Sequence, residues 1–323
     1  MSASSNLRTG SLPYFDAAAV RAATPWADAV AALERALLNG VDPEEDGPRL
    51  FSPAPGGEFL LMPASGPAYS GVKALTVAPG NPARGLEKIQ GVYVLVDSDT
   101  LAPLAVMDGT ELTAIRTPAT TLLAVTRILG AAPEGAPENP RVLAFGAGIQ
   151  ALNHLRAAHA LVRGASLAVV GRRPERVREL VATLAAEGID VREASVAEVP
   201  TADVVLCTTS SATPLFDGAL VAPGAVVAAV GQHGLDAREV DATLVRRSDV
   251  VVEGRASALR EAGDLIPARS VEEWDALRPV NLRELVQGKL VRTPGRPCLY
   301  AGVGMAWEDL VTAALVYEGG TRE

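Results

Sequence analysis

Gly146, Gly148 and Ala151 follow a short apolar run, Arg141-Val142-Leu143-Ala144-Phe145, at the spacing G-x-G-x-x-(G/A). Residues 152–162 then carry a helical pattern. A strand, a tight glycine turn and a helix N-terminus in that order make a phosphate cradle. Gly146 allows the turn, Gly148 lets the backbone approach a pyrophosphate, and Ala151 lets the helix pack close to the strand. Ala147, Ile149 and Gln150 complete the loop. The motif predicts dinucleotide binding and, with it, redox chemistry.

A second apolar run, 166–170, ends in Gly171-Arg172-Arg173. An acid at that strand end would accept hydrogen bonds from both adenosine ribose hydroxyls and favour NAD(H). Two guanidinium groups suit a ribose 2′-phosphate through charge-assisted, bidentate bonds. NADP(H) is therefore the expected cofactor, with NAD(H) as the alternative. The plainer reading makes Arg172 and Arg173 a solvated turn before a helix over 174–187.

The next strand ends in Cys207-Thr208-Thr209-Ser210 and the one after it in Val230-Gly231-Gln232-His233-Gly234. Both ends face the ligand crevice of such folds. Thr208, Thr209 and Ser210 could touch the nicotinamide ribose or simply cap the following turn. His233 is the general-acid candidate by position, since imidazole donates a proton near neutral pH. Equally, it could be a loop histidine that only packs or is solvated. His154 and His159 lie five apart on the first helix, the wrong spacing for a metal pair, so both read as structural and no metal site is expected.

Three cations stand out before the glycine motif. Arg49 follows Gly47-Pro48 in a loop, Lys73 interrupts the apolar strand of 71–75, and Arg116 lies in a mostly apolar helix, where a charge is costly unless paired. Singly, each reads as structural, Lys73 for instance as an edge or solvent-facing residue. Together they would suit an anionic substrate such as an amino-acid carboxylate.

These residues need a scaffold with two parts. Residues 14–40 read as an amphipathic helical region interrupted by Pro25, with Trp26, Val30, Leu33 and Leu37 on one face. Strands over 59–62, 71–77, 89–97 and 102–107 follow without helices between them, which implies an antiparallel or mixed sheet. A helix over 111–129 leads to the Pro/Gly/Glu-rich connection 131–140. From 141 onward strand and helix alternate, with strands at 141–145, 166–170, 203–207, 225–230 and 249–252, which implies a parallel sheet. An apolar helix at 307–317 could pack back on the first part. The fold class is α/β: a Rossmann NAD(P)-binding domain over 126–299, plus an α+β domain from 1–125 with 300–323.

Composition narrows the partners. The 323 residues are 48% hydrophobic with net charge −9 and a pI of about 5.0, which argues against nucleic acid. No apolar run approaches the ~20 residues a membrane span needs. Two cysteines, Cys207 and Cys298, form no disulfide framework and suit a reducing cytosol. Residues 1–10 lack the apolar region of a signal peptide, so the expected location is cytoplasmic.

Motifs along most of the chain resemble the ornithine cyclodeaminase/μ-crystallin family. They include Gly71-Val72-Lys73, Pro79-Gly80-Asn81, Met107-Asp108-Gly109, Thr113-Ala114-Ile115-Arg116-Thr117, Gly146-Ala147-Gly148-Ile149-Gln150-Ala151, Arg238-Glu239-Val240-Asp241, and Gly302-Val303-Gly304-Met305-Ala306-Trp307-Glu308-Asp309-Leu310. The resemblance implies a homodimer whose first domain holds the substrate-binding groups and the dimer contact. It assigns Arg49, Lys73 and Arg116 to the substrate carboxylate and its polarisation, and Thr117, Gly148, Ile149 and Gln150 to the cofactor.

Three positions depart from the family pattern. The family's cyclodeaminases carry an aspartate two residues after the glycine that ends the fourth Rossmann strand; His233 stands there. Pro118 replaces a small residue, which could tilt the helix after Arg116, and Ala301 replaces a common serine. The missing aspartate favours an NAD(P)H-dependent reductase of an α-imino acid, cyclic or open-chain, working reversibly. The alternatives are an ornithine or lysine cyclodeaminase using NAD⁺ catalytically, and a non-catalytic small-molecule binder.

Overall fold

A computed structural model of the chain describes residues 11–320 except His233, and of Pro82 only the backbone. The expectation placed on His233 lies outside the described residues. Two sheets form the frame. The first has six strands: β1 (Tyr14–Phe15), β2 (Leu50–Ala54), β3 (Gly57–Ser65), β4 (Tyr69–Val77), β5 (Ile89–Asp97) and β6 (Pro103–Asp108), in the order β1-β6-β5-β4-β3-β2. It is antiparallel throughout except where β1 pairs parallel with β6.

The second sheet contains β7 (Arg141–Phe145), β8 (Ser166–Val170), β9 (Val191–Glu193), β10 (Val204–Cys207), β11 (Val226–Ala229), β12 (Asp249–Val252), β13 (Val280–Asn281) and β14 (Cys298–Ala301). Its order is β13-β12-β14-β11-β10-β7-β8-β9, and every pairing is parallel. The chain runs from β7 outward to β8 and β9, then returns to the other side of β7 at β10. That reversal is the topological switch point where ligands bind in open α/β sheets.

The helices are α1 (Ala17–Ala23), α2 (Trp26–Leu38), α3 (Gly109–Gly130), α4 (Ile149–Leu161), α5 (Pro174–Ala186), α6 (Ala242–Arg247), α7 (Arg255–Glu261), α8 (Val271–Leu277), α9 (Leu282–Val286) and α10 (Ala306–Gly320). α3 joins the two halves. It buries Leu112, Ile115, Ala119, Leu122, Val125 and Ile128, and packs on β5 as well as on α4, β11 and β14. A helix that is apolar nearly all round must be interior. Pro118 sits within α3, which runs on through it, so the expected tilt is not a break in the helix. α10 returns to lie on α2, α3, β3 and β4.

Three expectations need correction. The helical region starts at Ala17, where the Asp16 side chain accepts from Ala19 N at 2.9 Å; residues 14–15 are instead drawn into the sheet beside β6. β2 is not among the expected strands; it lies at the sheet edge, where its Pro53 is tolerated. β14 was missed altogether, although it lies between β11 and β12. The expected domain division at 299/300 falls inside that strand.

Candidate active site

The glycine turn and helix start form as their residue types require. Gly146 ends β7 with φ +123°, a conformation L side chains rarely adopt, and its N–H donates to Val170 O at 2.8 Å. A Cβ there would lie 2.9 Å from Thr208 Oγ1 and 3.0 Å from Thr208 O, so β7 and β10 approach closely at the switch point. Thr208 is buried and donates its hydroxyl to Phe145 O at 2.8 Å. Gly148 is the N-cap of α4, offers no side-chain cap, and has nothing within 4 Å of where a Cβ would stand. The first amides of α4 are thus approachable by an anion. Ile149 is exposed, and Gln150 Oε1 is buried without a hydrogen-bond partner in the protein. An unpaired buried polar atom beside a phosphate cradle fits a bound dinucleotide.

A cavity of about 440 Å³ opens in front of the cradle. Gly146, Ala147 and Gly148 line one end, Gly171, Arg172 and Arg173 another, and Thr208, Thr209 and Ser210 the side of β10. Val230 and Gly231 follow β11, half-buried, and Thr117 is half-buried on α3. A Cβ at Gly171 would stand 2.5 Å from Val177 Cγ2, so α5 packs too close to admit an acid at that strand end without moving. Arg172 and Arg173 are exposed and make no side-chain ion pair among the described residues. Arg176, one turn into α5, lines the same wall and pairs with Glu179 at 3.1 Å. The sequence reading missed it, although its i+3 and i+4 offsets from the other two arginines were a usable signal.

The cation cluster lies where β14 leaves the second sheet. Lys73 is fully buried on the inner face of interior strand β4, not at an edge or toward solvent. Its Nζ lies 2.7 Å from Asp309 Oδ2 and donates to Thr113 Oγ1 at 3.2 Å. Arg116 on α3 reaches both acids at the start of α10, with Nη1 2.9 Å from Glu308 Oε2 and Nε 3.2 Å from Asp309 Oδ1. Arg49 spans to the other half of the chain. It pairs with Glu261 at 3.2 Å and donates to the carbonyls of Val303 and Gly304, the latter at 2.9 Å.

Gly304 brings the guanidinium groups together. It has φ +79°, and a Cβ there would fall 2.6 Å from Arg116 Nη1. The loop is held from behind by Glu253, at the end of β12, which accepts from Val303 N at 2.9 Å and Gly304 N at 2.7 Å. Tyr300 O–H adds a 3.3 Å bond to the same carboxylate.

Burial sets the charges, opposed by pairing. Desolvation pulls Lys73 down from 10.5 to about 8, against the pull of Asp309. Desolvation also works against the Arg116 charge, but Asp309 and Glu308 outweigh it and hold Arg116 above its ordinary value. Arg49 is lowered by burial and partly restored by Glu261. Burial and the neighbouring Glu253 push Glu308 well up. His154 is also buried; its ring nitrogens bond to Gln150 O and Thr121 Oγ1, and desolvation lowers it to about 4, in keeping with a structural role. The acids Glu253, Glu261, Glu308 and Asp309 were not singled out from sequence. The available signals were the adjacent Glu308-Asp309 pair opening an apolar helix and its place within a family motif.

A Rossmann crevice beside a buried, partly neutralised cation cluster defines the class, an NAD(P)-dependent oxidoreductase of a small molecule. The sequence model of the ornithine cyclodeaminase/mu-crystallin family matches residues 16–322, and the chain belongs to that family. Over 302 residues the chain is 35% identical to Delta(1)-pyrroline-2-carboxylate reductase 2 of Burkholderia ambifaria, covering 93% of each chain. It is 32% identical over 260 residues to the ketimine reductase mu-crystallin of Mus musculus, covering 78% of each. The solved Delta(1)-pyrroline-2-carboxylate reductase of Thermococcus litoralis, in complex with NADH and L-proline, superposes with a TM-score of 0.83 at 26% identity, covering 96% of this chain and 98% of that one. Among the described residues no helix is long and apolar enough to cross a membrane.

Proposed function

We propose that the chain reduces a cyclic α-imino acid to the cyclic amino acid, with NADPH preferred. The carrying observation is the convergence of Arg49 and Arg116 on Gly304, with Lys73 joined to Arg116 through Asp309, at the carboxyl edge of the dinucleotide sheet. In this reading Arg49 and Arg116 hold the substrate carboxylate. Two of Arg49's bonds go to neutral carbonyls, and a carboxylate forms stronger, charge-assisted bonds and would displace them. Lys73, kept protonated beside Asp309, hydrogen-bonds the carboxylate or polarises C=N. When bound, the reduced cofactor supplies the hydride to the imine carbon, and the nitrogen takes one proton.

The test is nicotinamide absorbance with NADPH and 1-pyrroline-2-carboxylate, beside product analysis with ornithine and NAD⁺. Stoichiometric NADPH loss with the imino acid is expected. Proline formed from ornithine with no net cofactor change would overturn the reading in favour of a cyclodeaminase.

The charge state of Lys73 adds a pH dependence. Its lowered value means that it is protonated below about 8 and neutral above. Reductive kcat/KM therefore falls as pH rises through about 8, and Lys73→Arg moves the fall upward, because guanidinium keeps its proton. An unchanged profile in Lys73→Arg would show that the fall belongs to another group.

Arg172 and Arg173, without ion-pair partners among the described residues, support the NADPH preference. Arg172→Asp is expected to lower the NADPH-over-NADH ratio of kcat/KM by about tenfold or more, one lost charge-assisted bond and one new repulsion. A retained preference counts against a 2′-phosphate site here.

The six-stranded sheet supports a homodimer. Its register sets Leu50, Leu61, Ala74 and Val92 in one row across four strands, with Phe59 exposed nearby. α3 and α10 pack on the opposite face, where Lys73 and Tyr93 are buried, and a contiguous exposed apolar patch marks an interface. Light scattering should return twice the 33.4 kDa chain mass; a single chain mass rejects the dimer. By the same reading the six-stranded sheet and α10 form the substrate-binding and dimerisation unit, and the eight-stranded sheet forms the dinucleotide unit.

A further inference from the structure

We infer that Glu239 positions the nicotinamide half of the cofactor, acting through Thr209 and Gly231 rather than by touching it. The inference rests on the NAD(P)-dependent reading above. Glu239 is fully buried behind the crevice. Its Oε1 accepts from Thr209 N at 2.6 Å and Thr209 Oγ1 at 2.7 Å, and its Oε2 accepts from Gly231 N at 2.8 Å. Thr209 follows β10 and Gly231 follows β11, so one carboxylate ties the carboxyl ends of two neighbouring strands.

The tie is itself anchored. Asp264 Oδ1 accepts the N–H of Glu239 at 2.6 Å and of Val240 at 2.9 Å, and Glu239 O accepts from Leu215 N at 2.8 Å. The space is closed on the Gly231 side, where a Cβ would stand 2.3 Å from Thr209 O and 2.8 Å from Glu239 Oε1. These contacts set the course of residues 209–211, which line the cavity, and of the loop that begins at 230.

The topology says which half of the ligand this concerns. The adenosine side of a dinucleotide meets the end of β8, where Arg172 and Arg173 stand. β10 and β11 lie on the other side of β7, so the nicotinamide half runs over their ends. Replacing the carboxylate by an amide puts a donor where acceptors are needed, and at least one buried N–H loses its partner.

The experiment is calorimetric titration of the full chain with two ligand pairs, NADPH with adenosine 2′,5′-bisphosphate and NADH with ADP. The second member of each pair lacks the nicotinamide half. Glu239→Gln is expected to weaken the better-bound dinucleotide about tenfold or more, while its truncated partner changes less than about twofold. Gly231→Ala presses on the same junction without altering the acid and should give the same selective loss. Equal loss of both ligands would make Glu239 a general structural residue, and loss of neither would remove it from cofactor binding; either overturns the inference. If the unaltered chain binds none of the four ligands, the NAD(P)-dependent reading fails and this inference with it.

Discussion

Arg116→Met will lower the unfolding free energy by about 3–5 kcal/mol and kcat/KM by about 10²- to 10³-fold. The stability loss follows from what Arg116 neutralises. Its guanidinium bridges Glu308 and Asp309, both fully buried, and Lys73 reaches only Asp309. Removing the bridge leaves two acids in a dry site with one cation whose own charge is already disfavoured by burial. Methionine fills the volume but offers no donor. Arg116→Lys should recover only part of the loss, because an ammonium cannot span two carboxylates as a planar fork does. Adding Glu308→Gln to Arg116→Met should restore stability without restoring turnover, since it removes one stranded acid and supplies no carboxylate anchor. Urea unfolding beside steady-state kinetics reads both effects. A stability within about 1 kcal/mol of the parent would mean that Glu308, pushed up by burial, is protonated in the native protein and needs no partner.

Gly146→Ala is expected to weaken the dinucleotide by about 100-fold, the equivalent of about 2.8 kcal/mol. The residue has φ +123°, where an L side chain costs about 1–3 kcal/mol. The new Cβ would also press on Thr208 Oγ1 and O at 2.9 and 3.0 Å, and that hydroxyl is already committed to Phe145 O. The turn must therefore shift, and with it the first amides of α4. Gly135→Ala is the matched control. It has φ +81° in an exposed turn of the 131–140 connection, with nothing within 4 Å of its Cβ position. It should cost stability and leave cofactor affinity alone. Calorimetry on both variants separates backbone strain from damage to the cradle, and equal affinities would show that the 146 turn does not set the phosphate contacts.

What the sequence made legible was local. The glycine spacing at 146–151 predicts the cradle because turn, helix start and close packing are properties of consecutive residues. The strands at 71–77 and 89–97 were readable as β runs bounded by Gly/Pro turns. β14 was not, because four residues flanked by Pro297 and Gly302 give no periodicity, and its place between β11 and β12 is a fact of topology. Lys73 and Arg116 could be named as buried charges in need of partners. Their partners could not, because Asp309 and Glu308 lie some two hundred residues away and meet them only when α10 lies across α3. Arg49 was visible as a cation, whereas its bridge to Glu261 in the other half of the chain was not. The family motifs carried Glu308 and Asp309 along with the cations, but nothing in the motifs paired them.

The late position of β14 has a consequence for how the protein is made. β11 and β12 emerge from the ribosome with a strand-wide gap between them, which is filled only after some fifty further residues. The segment that fills it runs directly into the 302–304 loop and then into α10 with Glu308 and Asp309. Closing the sheet and neutralising Lys73 and Arg116 are thus one event, which follows the making of β11 and β12. Until then the nascent chain carries unpaired strand edges beside unmatched cations, the condition in which chaperones engage a growing polypeptide. Before that, the copy holds neither the 302–304 loop nor the acid partners of Lys73 and Arg116 in place.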